Sequence, residues 1–277
     1  MKREILINGA ARETRVAILE DDRLVEVLHD RPEISRIVGN IYLGKVEAVL
    51  PGMQAAFVDI GTGKSAFLHA SDLIEPDDED DDDNGGRNRN SRGLPNIQDH
   101  VRRGESIVVQ VTKEAIGTKG PRVTRQISLA GRFLVYMPFA SRVGVSRKIE
   151  ARDERARLRK MVSGLLPRDA GGVIARTVAE DLTEAKVKRE LKSLMGQWKK
   201  FRRKAQFARL KAPALIHREA SLTSGIVRDL LSDKVVRVLV DTKPVYDEIR
   251  RYLKEVEPDL LDRVHRYREQ EPLFDKF

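Results

Sequence analysis

The chain has 277 residues, with 52 Lys and Arg against 43 Asp and Glu, a net charge of +9 and no cysteine. That length is ample for a buried core and suits about two domains. Zero cysteine excludes a disulfide scaffold, a cysteine-based zinc site and a cysteine nucleophile, and suits a reducing cytosol. No apolar run reaches the roughly 20 residues of a membrane span, and Met1-Lys2-Arg3-Glu4 leads into no apolar core, so no signal peptide is read here.

The first 30 residues read as a strand meander: 4–8, 15–19 and 24–28, split by turns at Gly9-Ala10 and Asp21-Asp22. A second strand group follows at 40–49, 55–59, 65–69 and 106–111, with turns at Pro51-Gly52 and Gly61-Thr62-Gly63. Short strands with such turns suit a small barrel of the OB type. Segment 75–97 is then one long barrel connection. It holds eight acids between Glu75 and Asp83; without them 35 acids face 52 bases, a balance of +17. So basic a body draws polyanions: RNA, DNA or an anionic membrane. The acidic run and its polar continuation to Ser91 read as a disordered surface loop, either a solvated insertion or a competitor for the basic face.

Strands resume at 133–137 and 144–149. A helix spans about 151–163, and 172–175 is a short strand. Residues 182–204 form a strong helix, in which Val187, Leu191, Leu194, Trp198 and Phe201 step by 4, 3, 4 and 3 as one apolar stripe. Trp198 therefore reads as core. The other faces carry nine Lys and Arg, either solvated or holding a polyanion. The last third reads helix 222–231, strand 235–241 and helix 243–255, with Pro244 in its first turn. The abrupt end at Pro272-Leu273-Phe274-Asp275-Lys276-Phe277 reads as a cut within a larger protein.

Two routes to chemistry fail on the residues. Gly61-Thr62-Gly63-Lys64-Ser65 lacks the earlier glycine of a phosphate loop, because position 58 is valine. It also leads into a strand where the loop needs a helix. The five histidines show no metal spacing. Asp59 and Asp241 end strands without an obvious acidic partner, and Asn8 stands where a catalytic Asp would be wanted, so structural roles are expected for them. The binding signal is in 40–73. Phe57 and Phe67 lie on consecutive strands. Facing outward, they make a stacking platform for unpaired bases; facing inward, they are core. Lys113 and Lys119 are candidates for phosphate contacts.

This block resembles the S1 domain of the bacterial ribonuclease E/G family, and the resemblance runs from end to end. It includes Glu-Thr-Arg-Val-Ala at 13–17, Val-Gly-Asn-Ile-Tyr at 38–42 and Leu-Pro-Gly-Met-Gln-Ala-Ala-Phe-Val-Asp-Ile-Gly at 50–61. Further matches are Gly-Thr-Lys-Gly at 117–120, Leu-Val-Tyr-Met-Pro at 134–138, Val-Gly-Val-Ser-Arg-Lys-Ile-Glu at 143–150, Arg176-Thr177 and the final Pro-Leu-Phe-Asp-Lys-Phe. The wording of 50–73 is nearer the G than the E branch.

The resemblance implies an α+β fold. An S1-type OB β-barrel (37–125, with the acidic loop at 75–97) and an α/β 5′-sensor lobe (126–214) would be inserted into a discontinuous RNase H-like subdomain (1–36 and 215–277). It implies part of a single-strand-specific endoribonuclease of RNA processing and decay, acting on RNA with a 5′ monophosphate in the bacterial cytoplasm, in a protein that can be a homo-oligomer. Phe57, Phe67 and Lys119 match the S1 residues that contact RNA. Arg176 and Thr177 match the pair that grips the 5′ phosphate, Gly131 and Val135 match sensor positions, and Arg147 is a further candidate from the same lobe. The family's magnesium carboxylates belong to a DNase I-like domain downstream. No cofactor is therefore expected in these residues, magnesium is expected for the intact enzyme, and the chain alone should bind RNA without cutting it. The alternative is a stand-alone RNA-binding regulator; the reading frame after Phe277 discriminates the two.

Overall fold

The computed structural model describes residues 2–9, 13–30, 36–73, 95–206, 210–220, 222–231 and 235–277. The acidic run and nearly all of the 75–97 connection lie outside the described residues. In chain order the elements begin with β1 (Arg3–Gly9), β2 (Thr14–Glu20), β3 (Arg23–Asp30), β4 (Ile41–Leu50), β5 (Ala55–Asp59) and β6 (Ala66–His69). Next come α1 (Ile97–His100), β7 (Ser106–Lys113), β8 (Arg122–Thr124), β9 (Leu129–Ala130), β10 (Leu134–Met137) and β11 (Val143–Val145). Then follow α2 (Arg152–Leu165), β12 (Gly172–Ala175), α3 (Glu184–Gln206), β13 (Ala214–His217) and α4 (Leu222–Leu230). The chain closes with β14 (Val235–Val240), α5 (Lys243–Val256), β15 (Val264–Arg266) and α6 (Leu273–Lys276).

The chain divides into two compact units, residues 1–36 with 220–277, and residues 37–219. In the first, a five-stranded sheet runs β15-β14-β1-β2-β3. The amino-terminal meander is antiparallel, and β14 pairs parallel to β1 with Ile5 opposite Val238 and Ile7 opposite Val240. Alternation along β1 sends Ile5 and Ile7 into a core with Val227, Ile249 and Leu253, while Leu6 enters a second cluster with Ala17, Leu239 and Leu273. Burial on both faces explains the apolar run Ile5-Leu6-Ile7 at the centre of β1. Asp241 and Asn8 meet where β14 and β1 end. One Asp241 oxygen accepts from the Asn8 amide at 2.5 Å and the other from the Gly9 N–H at 2.9 Å. Arg15 in turn donates to Asn8 at 3.0 Å. The carboxylate ties two strands together, the structural role expected of it.

In the second unit, β4, β5, β6, β8 and β7 close into a five-stranded barrel, since β7 pairs back to β4. The architecture is mixed α+β with a closed barrel compatible with the OB type. Its interior is filled by Val46, Ala56, Val58, Ala66, Leu68, Val109, Val111 and Val123. The Gly61–Lys64 segment is a tight turn, with φ of +80° at Gly61 and +79° at Gly63. Asp59 accepts the Gly61 N–H at 2.8 Å, and a strand follows, so this is hairpin chemistry and not a phosphate cradle. Strand β13, which local pattern did not single out, pairs with β4 and carries the unit to Glu219.

Beside the barrel, a four-stranded sheet β11-β12-β10-β9 packs against α2 and α3. Phe133, Leu134, Tyr136, Leu158, Val173, Leu191, Leu194 and Trp198 share one core, so Trp198 is core as its stripe implies. The strand expected over 144–149 is shorter. It ends at Val145 because Ser146 turns the chain, its hydroxyl accepting the Lys148 N–H at 3.3 Å and its carbonyl the Ile149 N–H at 3.2 Å.

Candidate functional site

Two constellations stand out in the 37–219 unit. The first is on the outside of the barrel. Strand alternation puts Ala56, Val58, Ala66 and Leu68 inside, which leaves Phe57 and Phe67 half-buried on the outer face. They are direct cross-strand partners, with ring centroids 6.0 Å apart at 63°. His69, on the same face of β6, stacks on Phe67 at 6.3 Å and 25°. The row continues across the sheet, since Phe67 pairs with Arg122 and Arg122 with Lys113. Two rings are thus flanked by cations on one surface. Arg122 is steadied by Asp72, at 2.9 Å through Nε.

Lys119 belongs to the loop between β7 and β8, closed by paired backbone bonds between Ile116 and Lys119 at 3.0 and 3.2 Å. That loop is pressed against the start of β6. Lys64 Nζ donates to the Gly117 carbonyl at 2.5 Å, and a Cβ on Gly120 would stand 1.9 Å from the Ser65 carbonyl oxygen. Glycine is therefore required at 120, and the exposed Lys119 is held one residue from the strand that carries Phe67. His69 and Arg122 escaped the sequence reading. The His69 signal was its two-residue spacing from Phe67; Arg122 sits in a three-residue strand with no period to read.

The second constellation lies at one end of the four-stranded sheet. Arg176, just past β12, donates through Nη1 to the Gly131 carbonyl at 2.8 Å, and its N–H bonds to the Phe133 carbonyl at 2.7 Å. The Thr177 hydroxyl lies 3.0 Å from that of Ser146, which immediately precedes the exposed Arg147. Val135 is half-buried on the face opposite Leu134 and Tyr136, in register with Ala130 and Ile174. Arg176 is thus tied to Gly131 and its chain neighbour Thr177 to Ser146, with Arg147 next in the chain after Ser146 and Val135 on the adjoining strand. Two consecutive residues supply a guanidinium and a hydroxyl, donor types suited to a phosphoryl group.

Glu190 of α3 organises this end. It is the acid set into the apolar stripe of a basic helix, and the sequence reading passed over it. Its carboxylate accepts three successive backbone N–H groups, from Arg132 at 2.6 Å and from Phe133 and Leu134 at 2.8 Å each. Burial pushes its pKa up, against the pull of those donors and of Arg132. A Cβ on Gly131 would lie 2.7 Å from the same carboxyl carbon. Glu190→Gln turns an amide toward backbone donors and is expected to cost about 2–3 kcal/mol in urea unfolding. An unchanged midpoint would show that the carboxylate is dispensable.

The geometry describes a mixed α+β chain with a barrel that carries paired aromatics and cations. The sequence model of the Ribonuclease E/G family matches residues 128–277. Ribonuclease G of Haemophilus influenzae is 38% identical over 275 residues, covering 99% of this chain and 54% of that protein. Ribonuclease G of Escherichia coli K12 is 39% identical over the whole chain and 55% of its own length. Ribonuclease E of Haemophilus influenzae is 34% identical over 281 residues, 29% of its length. The chain belongs to the ribonuclease E/G family, and is more similar to these ribonuclease G proteins than to that ribonuclease E. It spans about half the length of the ribonuclease G relatives it matches. Among the described residues, no helix is long and apolar enough to cross a membrane.

Proposed function

We propose that this chain is the RNA-binding and 5′-monophosphate-sensing region of a single-strand-specific endoribonuclease of RNA processing and decay. The observation that carries the reading is the outward Phe57–Phe67 pair in register with Arg122 and Lys113. Rings stack bases of any sequence, and cations along the same row hold the backbone. In this reading the barrel is the S1 domain, the sheet with α2 and α3 is the 5′ sensor, and the unit of both chain ends is the RNase H-like subdomain. The setting would be the bacterial cytoplasm.

The sensor works by fit. Arg176 and Thr177 present donors to the terminal phosphate, and the Gly131 carbonyl, itself placed through Glu190, aims the guanidinium. A 5′ hydroxyl brings these donors no negative charge and only one weak acceptor, and a triphosphate brings more bulk and charge than one guanidinium and one hydroxyl match.

Magnesium is the expected ion of the intact enzyme, but the described residues do not fit it. No group of three or more His, Asp or Glu among them could hold a metal ion, and Asp59 and Asp241 accept backbone N–H groups. No cleavage step is assigned to these residues. The expected result is that the purified 277 residues bind 5′-monophosphorylated single-stranded RNA in an anisotropy titration and leave it uncut in magnesium. Magnesium-dependent cleavage that persists after repurification would overturn the division of labour proposed here.

A further inference from the structure

A cavity of about 390 Å³ opens between α3, the Pro138-Phe139 turn and the outer side of β4 and β7. It is separate from the Phe57–Phe67 row, and the functional reading above does not use it. One wall is Phe139, which is 56% exposed in a chain where aromatic residues are only 5%. The turn is closed by the Ala140 N–H on the Met137 carbonyl at 3.2 Å, which holds Phe139 out. Its ring meets Trp198 edge to face, at 5.4 Å and 81°. Phe201 lines the same cavity and is stacked on His217 at 4.5 Å. Arg202 and Gln206 supply the hydrogen-bonding rim.

The approach to the cavity is cationic. At 100° per residue, Lys188, Lys192, Lys199 and Arg203 fall within an arc of about 60° on α3, in a line about 22 Å long. All four are exposed, and Lys199 is the i−3 neighbour of Arg202 on the rim. After Glu184, the only acid on this helix is the buried Glu190. An aromatic cavity with polar edge groups, reached along a file of cations, fits an aromatic ring on a polyanionic chain. Its volume suits one base rather than a helix or an acyl chain bundle.

We propose that this cavity is a second base-binding site, which takes one unpaired nucleobase of an RNA strand whose phosphates run along α3. The inference rests on the reading of the chain as RNA-binding. It adds a contact that the barrel does not make, so strands long enough to reach both surfaces bind more tightly than short ones.

Trp198 is the only tryptophan in the chain, so its emission reports on this cavity and not on the barrel. Titration of the full chain with a single-stranded oligoribonucleotide should quench that emission, and inorganic polyphosphate should not. Phe139→Ala should remove the quench and weaken binding roughly tenfold. Arg202→Glu, at an exposed position, should weaken it with a shallower salt dependence. Phe57→Ala should weaken binding yet leave the quench at saturation. RNA that binds without changing Trp198 emission, together with an unaffected Phe139→Ala variant, would overturn the site and leave the barrel reading standing. Equal quenching by polyphosphate, or a blue shift with anionic vesicles and none with RNA, would overturn it too. No binding of any RNA would instead defeat the RNA-binding reading itself.

Discussion

Arg176→Ala should abolish the preference for a 5′ monophosphate over a 5′ hydroxyl, and leave the affinity for 5′-hydroxyl RNA within about twofold. Charge-assisted hydrogen bonds to a phosphate contribute about 1.5–3 kcal/mol each, so the discrimination lost is roughly ten- to hundredfold. The geometry keeps this test clean. Arg176 is half-buried, and its Nη1 bond goes to a carbonyl whose loop is also anchored by Glu190 through three backbone donors. The fold at that end therefore does not hang on the guanidinium. Paired titrations with the two 5′ ends decide the matter, and an equal loss on both would defeat the sensor assignment.

The second large effect is at Phe57. As a core residue, its truncation would cost about 3–5 kcal/mol of stability. It faces outward, so Phe57→Ala should lower stability by only about 1 kcal/mol, the scale of a lost edge-to-face pair with Phe67. RNA affinity should fall by about 1–3 kcal/mol, or roughly five- to hundredfold, and by the same factor for both 5′ ends. A melting curve beside the binding titration separates the outcomes. A collapse in melting temperature would place Phe57 in the fold, and a full-length binder with unchanged affinity would remove it from the RNA surface. Lys113→Ala should act differently, lowering the slope of log affinity against log salt by about 0.7 with a modest change in affinity.

Phe57 also shows where local pattern stops. Ala55-Ala56-Phe57-Val58 and Ala66-Phe67-Leu68 are apolar at every position, so period-two alternation yields two parities and no choice between them. Closure of the barrel chooses. A five-stranded barrel has little interior room, and Ala56, Val58, Ala66 and Leu68 fill it, which turns the two large rings out. Helices were easier to read, because the 3.6-residue stripe of α3 marks Trp198 as buried from spacing alone. The same stripe concealed Glu190, whose partners lie 56 to 58 residues away. Strands β8, β9, β13 and β15 are two to four residues long. Such segments are too short to carry a period and exist only through the sheets that recruit them.

From the sequence alone came the polyanion-seeking charge of the body, the strand-then-helix order, the failed phosphate loop, and, through motifs spread from end to end, the family. These depend on composition and on residues near one another in the chain. Tertiary structure decided which face of the barrel carries Phe57 and Phe67, that Arg122 and His69 join them, that Asp241 is committed to Asn8 and Gly9, and that Phe139 and Trp198 wall a cavity beside a file of cations. Each of those depends on pairings between residues tens to hundreds of positions apart. Closure and burial set such pairings, and no local periodicity encodes them.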